Sequence, residues 1–149
     1  MDLNYEILKH FVMAKIIEEE KIPVYLAEAK ETDYSIEKFL VLKGIIKEED
    51  ALVALASFFN VPYSDIDILD IDKNLVDKFS YDYMKRNKFV PVSMSEDKVL
   101  LIATSDMTNA NKISAPFIEA PYKLDFVLVT EKQINTYIDS IVAVIQTSE

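Results

Sequence analysis

A chain of 149 residues, 50% hydrophobic and 11% aromatic, is long enough to bury a core and too apolar to be a disordered tail. Sixteen Lys and Arg against twenty-six Asp and Glu give a net charge of −10, with no basic stripe to neutralise phosphates, so no nucleic acid partner is expected. Cysteine is absent, which removes disulfides, Cys-based zinc sites and thiol nucleophiles, and a single glycine, Gly44, leaves no material for a phosphate-cradling Gly-rich loop. The start, MDLNYEILKHF, lacks a charged n-region followed by an uninterrupted apolar stretch, and no run approaches the roughly 18 apolar residues that span a bilayer. The chain reads as cytosolic, with no direct membrane span.

In chain order, the first element is one half of a repeat. Tyr5 to Ala27 and Tyr34 to Ala56 align at an offset of 29, with 11 identities in 23 positions, among them Tyr5 with Tyr34, Lys9 with Lys38, Ile16 with Ile45 and Val24 with Val53. In the first copy Leu3, Ile7, Leu8, Phe11, Val12 and Ile16 keep helical spacing, which predicts an amphipathic helix from about residue 3 to 19. Pro23 predicts a second, short helix starting near Ile22, because proline fits the first turn and not the interior. In the second copy Ile36, Phe39 and Leu40 line a helix that starts near Ser35 and ends at Gly44 in the left-handed C′ position. Glu48, Glu49 and Asp50 then sit in the first turn of the next helix, where carboxylates favour the positive dipole end. Its apolar face is Ala51, Leu52, Leu55, Phe58 and Phe59.

Pro62 marks the next boundary. Val61 to Asp72 alternates apolar and acidic residues in an extended manner, and Asn74 to Phe79 and Tyr81 to Asn87 read as two short helical turns. Phe89 to Met94 and Val99 to Thr104 predict a hairpin joined by the polar Ser95 to Lys98. Asp106 or Thr108 caps a helix expected to reach about Ala115, before Pro116. Leu124 to Val129 is a third strand. Thr130 caps the last helix with Gln133 in the N3 place of a capping box, and Ile134, Tyr137, Ile138, Ile141 and Val142 form its inner face. The fold class is therefore α+β. Residues 1–60 form an N-terminal helical subdomain of two helix-corner-helix repeats, 61–88 a connecting segment with short helices, and 89–149 a small β-β-α-β-α subdomain.

Few residues suggest chemistry. Asp65, Asp67, Asp70 and Asp72 are oxygen ligands in composition, but isoleucine and leucine fill the gaps an EF-hand reserves for other ligands and glycine, so a solvated edge is the expected reading. His10, the only histidine, has no nucleophile or second ligand at a recognisable spacing. No catalytic residue, metal or cofactor is expected. Tyr5, Tyr34 and Phe58 are candidates to line a groove between the two helical copies, where aromatic side chains favour a protein interface. Lys85 and Arg86, with Lys88, form the one dense basic cluster and could meet an anionic head group or an acidic partner.

The order of elements, and the phrases FLVLKGIIKEEDALVALASFFNVPYSDID at 39 to 67, YMKRNKFVPVSMSEDKVLLIATSD at 83 to 106 and LDFVLVTEKQINTYI at 124 to 138, resemble the N-terminal domain of the type II secretion and type IV pilus assembly ATPases. That family reads as an L-xx-G-L/I-I-x-x-E-x-L-xx-A-L helix pair, a P-Y-hydrophobic-acidic segment, an arginine-bearing helix, the phrase V-x-P-V/L, and a strand-helix-strand-helix ending. The resemblance covers nearly the whole chain. It implies a non-enzymatic docking domain that, in full-length relatives, precedes a Walker-type ATPase core and binds an inner-membrane platform or motor protein. That core is not in this sequence, which is expected to be either a piece of a longer motor protein or a free-standing relative.

In one branch of that family the tandem helix pairs bind cyclic di-GMP through an Arg-Leu-Gly opening, a corner glycine and a closing glutamine. Arginine stacks on guanine and forks to phosphate, and glycine admits the ligand to the backbone. Here the opening places hold Ser35, Ile36 and Glu37 in the second copy and Glu6, Ile7 and Leu8 in the first. The corner glycine is Gly44 in one copy and Lys15 in the other, and the glutamine places hold Phe58 and Ala29. Glu37 sets a carboxylate where a dianion would arrive. Cyclic di-GMP is therefore the alternative and not the expected ligand, and Glu37 joins Tyr5, Tyr34, Phe58, Lys85 and Arg86 as an expected partner-binding residue.

Overall fold

A computed structural model describes residues 2–147, with side chains described through Ala143. The chain separates into two compact units, Met1–Asn60 and Val61–Glu149.

The first unit is four helices. Helix α1, Leu3–Met13, is capped by Asp2, whose Oδ1 accepts from the Asn4 N–H at 3.0 Å. It stops six residues short of the expected end near residue 19. Lys15 adopts φ 63°, its N–H donates to Val12 O at 2.9 Å, and the Ile16 N–H donates to Phe11 O at 3.1 Å. This pair of bonds is a Schellman stop. The second copy repeats it with Gly44 at φ 74°, where the Gly44 N–H meets Val41 O at 3.0 Å and the Ile45 N–H meets Leu40 O at 3.0 Å. Apolar periodicity running on through Ile16 hid the first stop, because lysine is not a helix-ending residue. The backbone geometry has been kept where the glycine has not.

The two corners give a matched prediction. The left-handed region costs a side-chain-bearing residue about 1 kcal/mol relative to glycine. Lys15→Gly should therefore stabilise the unit by up to about 1 kcal/mol, and Gly44→Ala should destabilise it by about the same amount. A Cβ built on Gly44 meets nothing within 4 Å, so the cost there is backbone alone. Urea denaturation of the two variants tests this, and a shift of both in the same direction sinks the account.

Helix α2, Ile22–Ala29, follows a 3-10 turn at Glu19–Lys21. Pro23 has no N–H to offer Glu19 O, so the turn closes on the Ile22 N–H instead. Helix α3, Ile36–Leu42, is capped by Ser35, and α4, Glu48–Phe59, opens on Glu48, Glu49 and Asp50 and ends at Asn60, φ 56°. Helix α1 packs on α2 and α4, and α3 does the same. Ile7, Leu8, Phe11, Ile36, Phe39 and Leu40 are buried between them, so the repeat buries its two apolar faces on itself.

In the second unit, α5, Lys73–Val76, and α6, Tyr81–Arg86, lead into strands β1, Phe89–Met94, and β2, Val99–Thr104. These pair antiparallel, with the register shifting between Pro91 and Ser93. Helix α7, Met107–Ala110, connects β2 to β3, Lys123–Leu128, which pairs parallel to β2. Tyr63 bridges Leu128 in parallel on the outer side of β3, where Leu128 N–H donates to Pro62 O at 2.8 Å and Ser64 N–H to Leu128 O at 2.9 Å. Helix α8, Glu131–Thr147, lies on β1, β2 and α6. Ile66, Leu75, Val76, Phe79 and Met84 enter the same core as the strands, so residues 61–88 are part of this unit.

Two expectations change here. Helix α7 ends at Ala110 and not near Ala115: the Ser114 and Ala115 N–H groups donate to the hydroxyls of Tyr83 (2.9 Å) and Tyr122 (3.0 Å), which replace helical carbonyls as acceptors. The capping box at α8 is half formed. Thr130 Oγ1 accepts from the Gln133 N–H at 3.0 Å, but Gln133 Oε1 turns away and accepts the Ile66 N–H at 3.0 Å. A part-buried long-range donor outcompeted the local one. Among the described residues no helix is long and apolar enough to cross a membrane.

Candidate functional site

The exposed large apolar side chains gather on the helical unit. Among the described residues ten such side chains are exposed, and eight of them, Leu3, Tyr5, Met13, Val24, Tyr34, Leu42, Ile45 and Val53, lie in residues 1–60. Six of the eight form three repeat-related pairs: Tyr5 with Tyr34, Val24 with Val53, and Met13 (78% exposed) with Leu42 (59%). Helical geometry makes two of these pairs act together, because residues i, i+4 and i+8 share one face. Tyr5, Lys9 and Met13 stand on one face of α1, with the Lys9 ammonium 5.5 Å from the Tyr5 ring centroid. Tyr34, Lys38 and Leu42 repeat the spacing around α3, with Lys38 at 5.4 Å from the Tyr34 ring. These are cation–π distances.

Two grooves mark this unit. One, of about 390 Å³, is lined by Tyr5, Lys9, Val12, Met13, Glu19 and Ile22. The other, of about 420 Å³, runs between α1 and α4; Ala14, Ile16, Val53 and Ala54 line it with Glu49 and Asp50, and His10 and Ser57 complete its wall. Neither is lined by all three aromatic residues expected to share a groove. Tyr5 belongs to the first, Phe58 stands edge-on to His10 with ring centroids 5.6 Å apart, and Tyr34 is at the exposed entry of α3. Glu37 is half-buried in the first turn of α3. Sequence reasoning passed over Met13, Leu42, Val24 and Val53. The i, i+4, i+8 spacing from each tyrosine was the signal available for the first two.

The basic cluster of the second unit is occupied internally. Lys85 Nζ meets Asp139 at 2.6 Å, Arg86 Nε meets Asp82 at 3.1 Å, and Lys88 Nζ meets Glu131 at 3.6 Å. Exposed pairs of this kind contribute little to stability, yet they leave a smaller unpaired charge for an anionic partner. Asp65 and Asp72 of the acidic run serve the backbone, accepting the N–H groups of Asp67 and Asn74 at 3.0 Å each. Among the described residues no cluster of His, Asp and Glu could hold a metal ion. A third groove, of about 350 Å³, lies between Ile66–Asp67 and α8 and contains Tyr137. Burial, then the nearby negative charge of Asp77, raises the Tyr137 pKa above its ordinary value, so the phenol stays protonated at neutral pH. None of this assembles a nucleophile, a base and an orienting group at one point.

The MshEN domain family matches residues 59–144. Among solved structures, MshE with cdg superposes with a TM-score of 0.76 at 24% identity, covering 94% of this chain and 99% of that one. The N-terminal domain of XpsE superposes with a TM-score of 0.69 at 17% identity, covering 93% and 96%. A second crystal form of that domain gives 0.55, also at 17% identity. At these identities the likeness is one of fold. No curated protein matches.

Proposed function

This chain belongs to the MshEN domain family, and from that premise we propose that it is a non-enzymatic docking domain, which binds an inner-membrane platform or motor protein of a secretion or pilus machine through its helical unit. The observation that carries the reading is the concentration of exposed apolar side chains on residues 1–60, repeated in register between the copies. A monomeric surface rarely keeps such residues in a pattern unless a partner covers them. On this reading the domain works in the cytoplasm and reaches the inner membrane only through its partner. The lack of Gly-rich phosphate loops in the sequence fits a role without nucleotide hydrolysis.

The test is binding to the cytoplasmic parts of platform and motor proteins from the same cell, measured by biolayer interferometry. The double variant Met13→Asp, Leu42→Asp should weaken capture at least tenfold, on the order of 1.4 kcal/mol. Both side chains are exposed, so folding should be retained, as read by circular dichroism. The second reading, cyclic di-GMP sensing, is favoured by the likeness to MshE with cdg and by Gly44 at the corner. Against it stand Ser35, Ile36 and Glu37 at the Arg-Leu-Gly places. Micromolar cyclic di-GMP binding by calorimetry, with no protein partner captured, would reverse the order of the two readings.

A further inference from the structure

We infer that the groove between α1 and α4 receives a basic amphipathic helix of the protein partner. This rests on the docking reading and names the segment the docking surface would take.

The floor and the rim of the groove have different chemistry. Ala14, Ile16, Val53 and Ala54 supply an apolar floor, and Glu49 and Asp50 stand on its edge. Ile16 is half-buried and Val53 is 51% exposed, so the floor is open to an incoming side chain. Small residues at 14 and 54 let another backbone approach closely. Glu49 and Asp50 are both exposed, and among the described residues neither takes part in an ion pair. The basic cluster of the second unit differs, since each of its three cations has a carboxylate partner.

Charge selects the occupant. Residues 1–60 carry seven lysines and no arginine against twelve Asp and Glu, a net of −5. An anionic ligand would meet that field and the two rim carboxylates together. A cationic side chain above an apolar contact satisfies both floor and rim, and a helix supplies that combination at i, i+3 and i+4 spacing. The 12 residues of α4 set the length of the wall. At 1.5 Å per residue that is about 18 Å, so the matching segment is about three helical turns. Complementary charge of this kind raises the association rate and fails at high salt.

The experiment is a titration of the ¹⁵N-labelled chain with a synthetic helix-forming peptide of leucine and lysine arranged with one apolar face. A peptide of identical composition in scrambled order serves as comparison. Amide shifts should concentrate at His10, Ala14, Val53 and Ser57. Glu49→Gln, Asp50→Asn should weaken binding at least fivefold at 50 mM salt. Glu28→Gln on α2 with Glu31→Gln in the turn after it, which changes net charge equally, should weaken it less than twofold. Equal losses in the two variants, equal binding of the scrambled peptide, or no shifts in the groove would each overturn the inference. If the groove fails while platform protein is still captured, the docking reading survives and only this segment assignment falls.

Discussion

Phe89→Ala is expected to destabilise the second unit by about 3–5 kcal/mol, the range for removing a fully buried aromatic side chain. Phe89 opens β1 and is completely buried. Its ring stands edge-on to Phe79 at 5.3 Å and to Tyr83 at 5.6 Å, and Phe79 in turn meets Phe117 edge-on at 5.0 Å. Alanine would therefore leave a cavity at the point where α6, β1 and the segment after α7 converge, and Phe79 and Tyr83 would each lose an edge-to-face partner. Phe89→Leu fills more of the volume and should cost roughly half as much or less. Guanidinium denaturation followed by tyrosine fluorescence measures both. A cost below about 1 kcal/mol for alanine would mean that the site collapses freely and that the aromatic cluster is not the anchor described.

The second large effect is expected from Thr104→Val. Thr104 is the one buried polar residue among those described. Its hydroxyl donates to Lys88 O at 3.1 Å and accepts the Asp106 N–H at 3.1 Å. Lys88 itself sits at φ 55°, so the hydroxyl secures a left-handed turn on one side and the entry to α7 on the other. Valine has the same shape and can satisfy neither group; Lys88 O keeps the Ser105 N–H at 3.2 Å, and the Asp106 N–H is the one left without its acceptor. A buried donor or acceptor left without a partner costs about 1–3 kcal/mol, so Thr104→Val should cost about 2 kcal/mol and Thr104→Ser distinctly less. Amide exchange should also quicken at Asp106 before it does in β2. If valine and serine cost the same, the methyl group and not the hydroxyl is what the site needs.

Much of the architecture was legible because its signals are local. Ser35 and Thr130 cap helices by side chains that lie beside the N–H groups they accept. The strands β1 and β2 keep their expected bounds to the residue. What was not legible depended on distant groups. Helix α7 stops early because tyrosines at 83 and 122 take the N–H groups of Ser114 and Ala115. Gln133 leaves its capping box because Ile66 needs an acceptor. Lys15 ends α1 although nothing in its chemistry announces a stop; only comparison with Gly44 across the repeat could have revealed it. The candidate surface was half legible. Tyr5 and Tyr34 stood out as aromatic residues, while Met13 and Leu42 lie outside the expected apolar faces and drew notice only through their exposure.

The bond from Ile66 to Gln133 spans 67 residues, and together with the pairing of Tyr63 to Leu128 it bears on the order in which the chain can fold during synthesis. The first unit closes through neighbours in sequence, helix upon adjacent helix and copy upon copy, so it can complete while the rest is still on the ribosome. The second cannot. Its opening residues are held by its last strand and last helix, so Pro62 to Ile66 wait for Leu128 and Gln133 to emerge. The helical unit is thus ready to meet a partner before the α+β unit is complete.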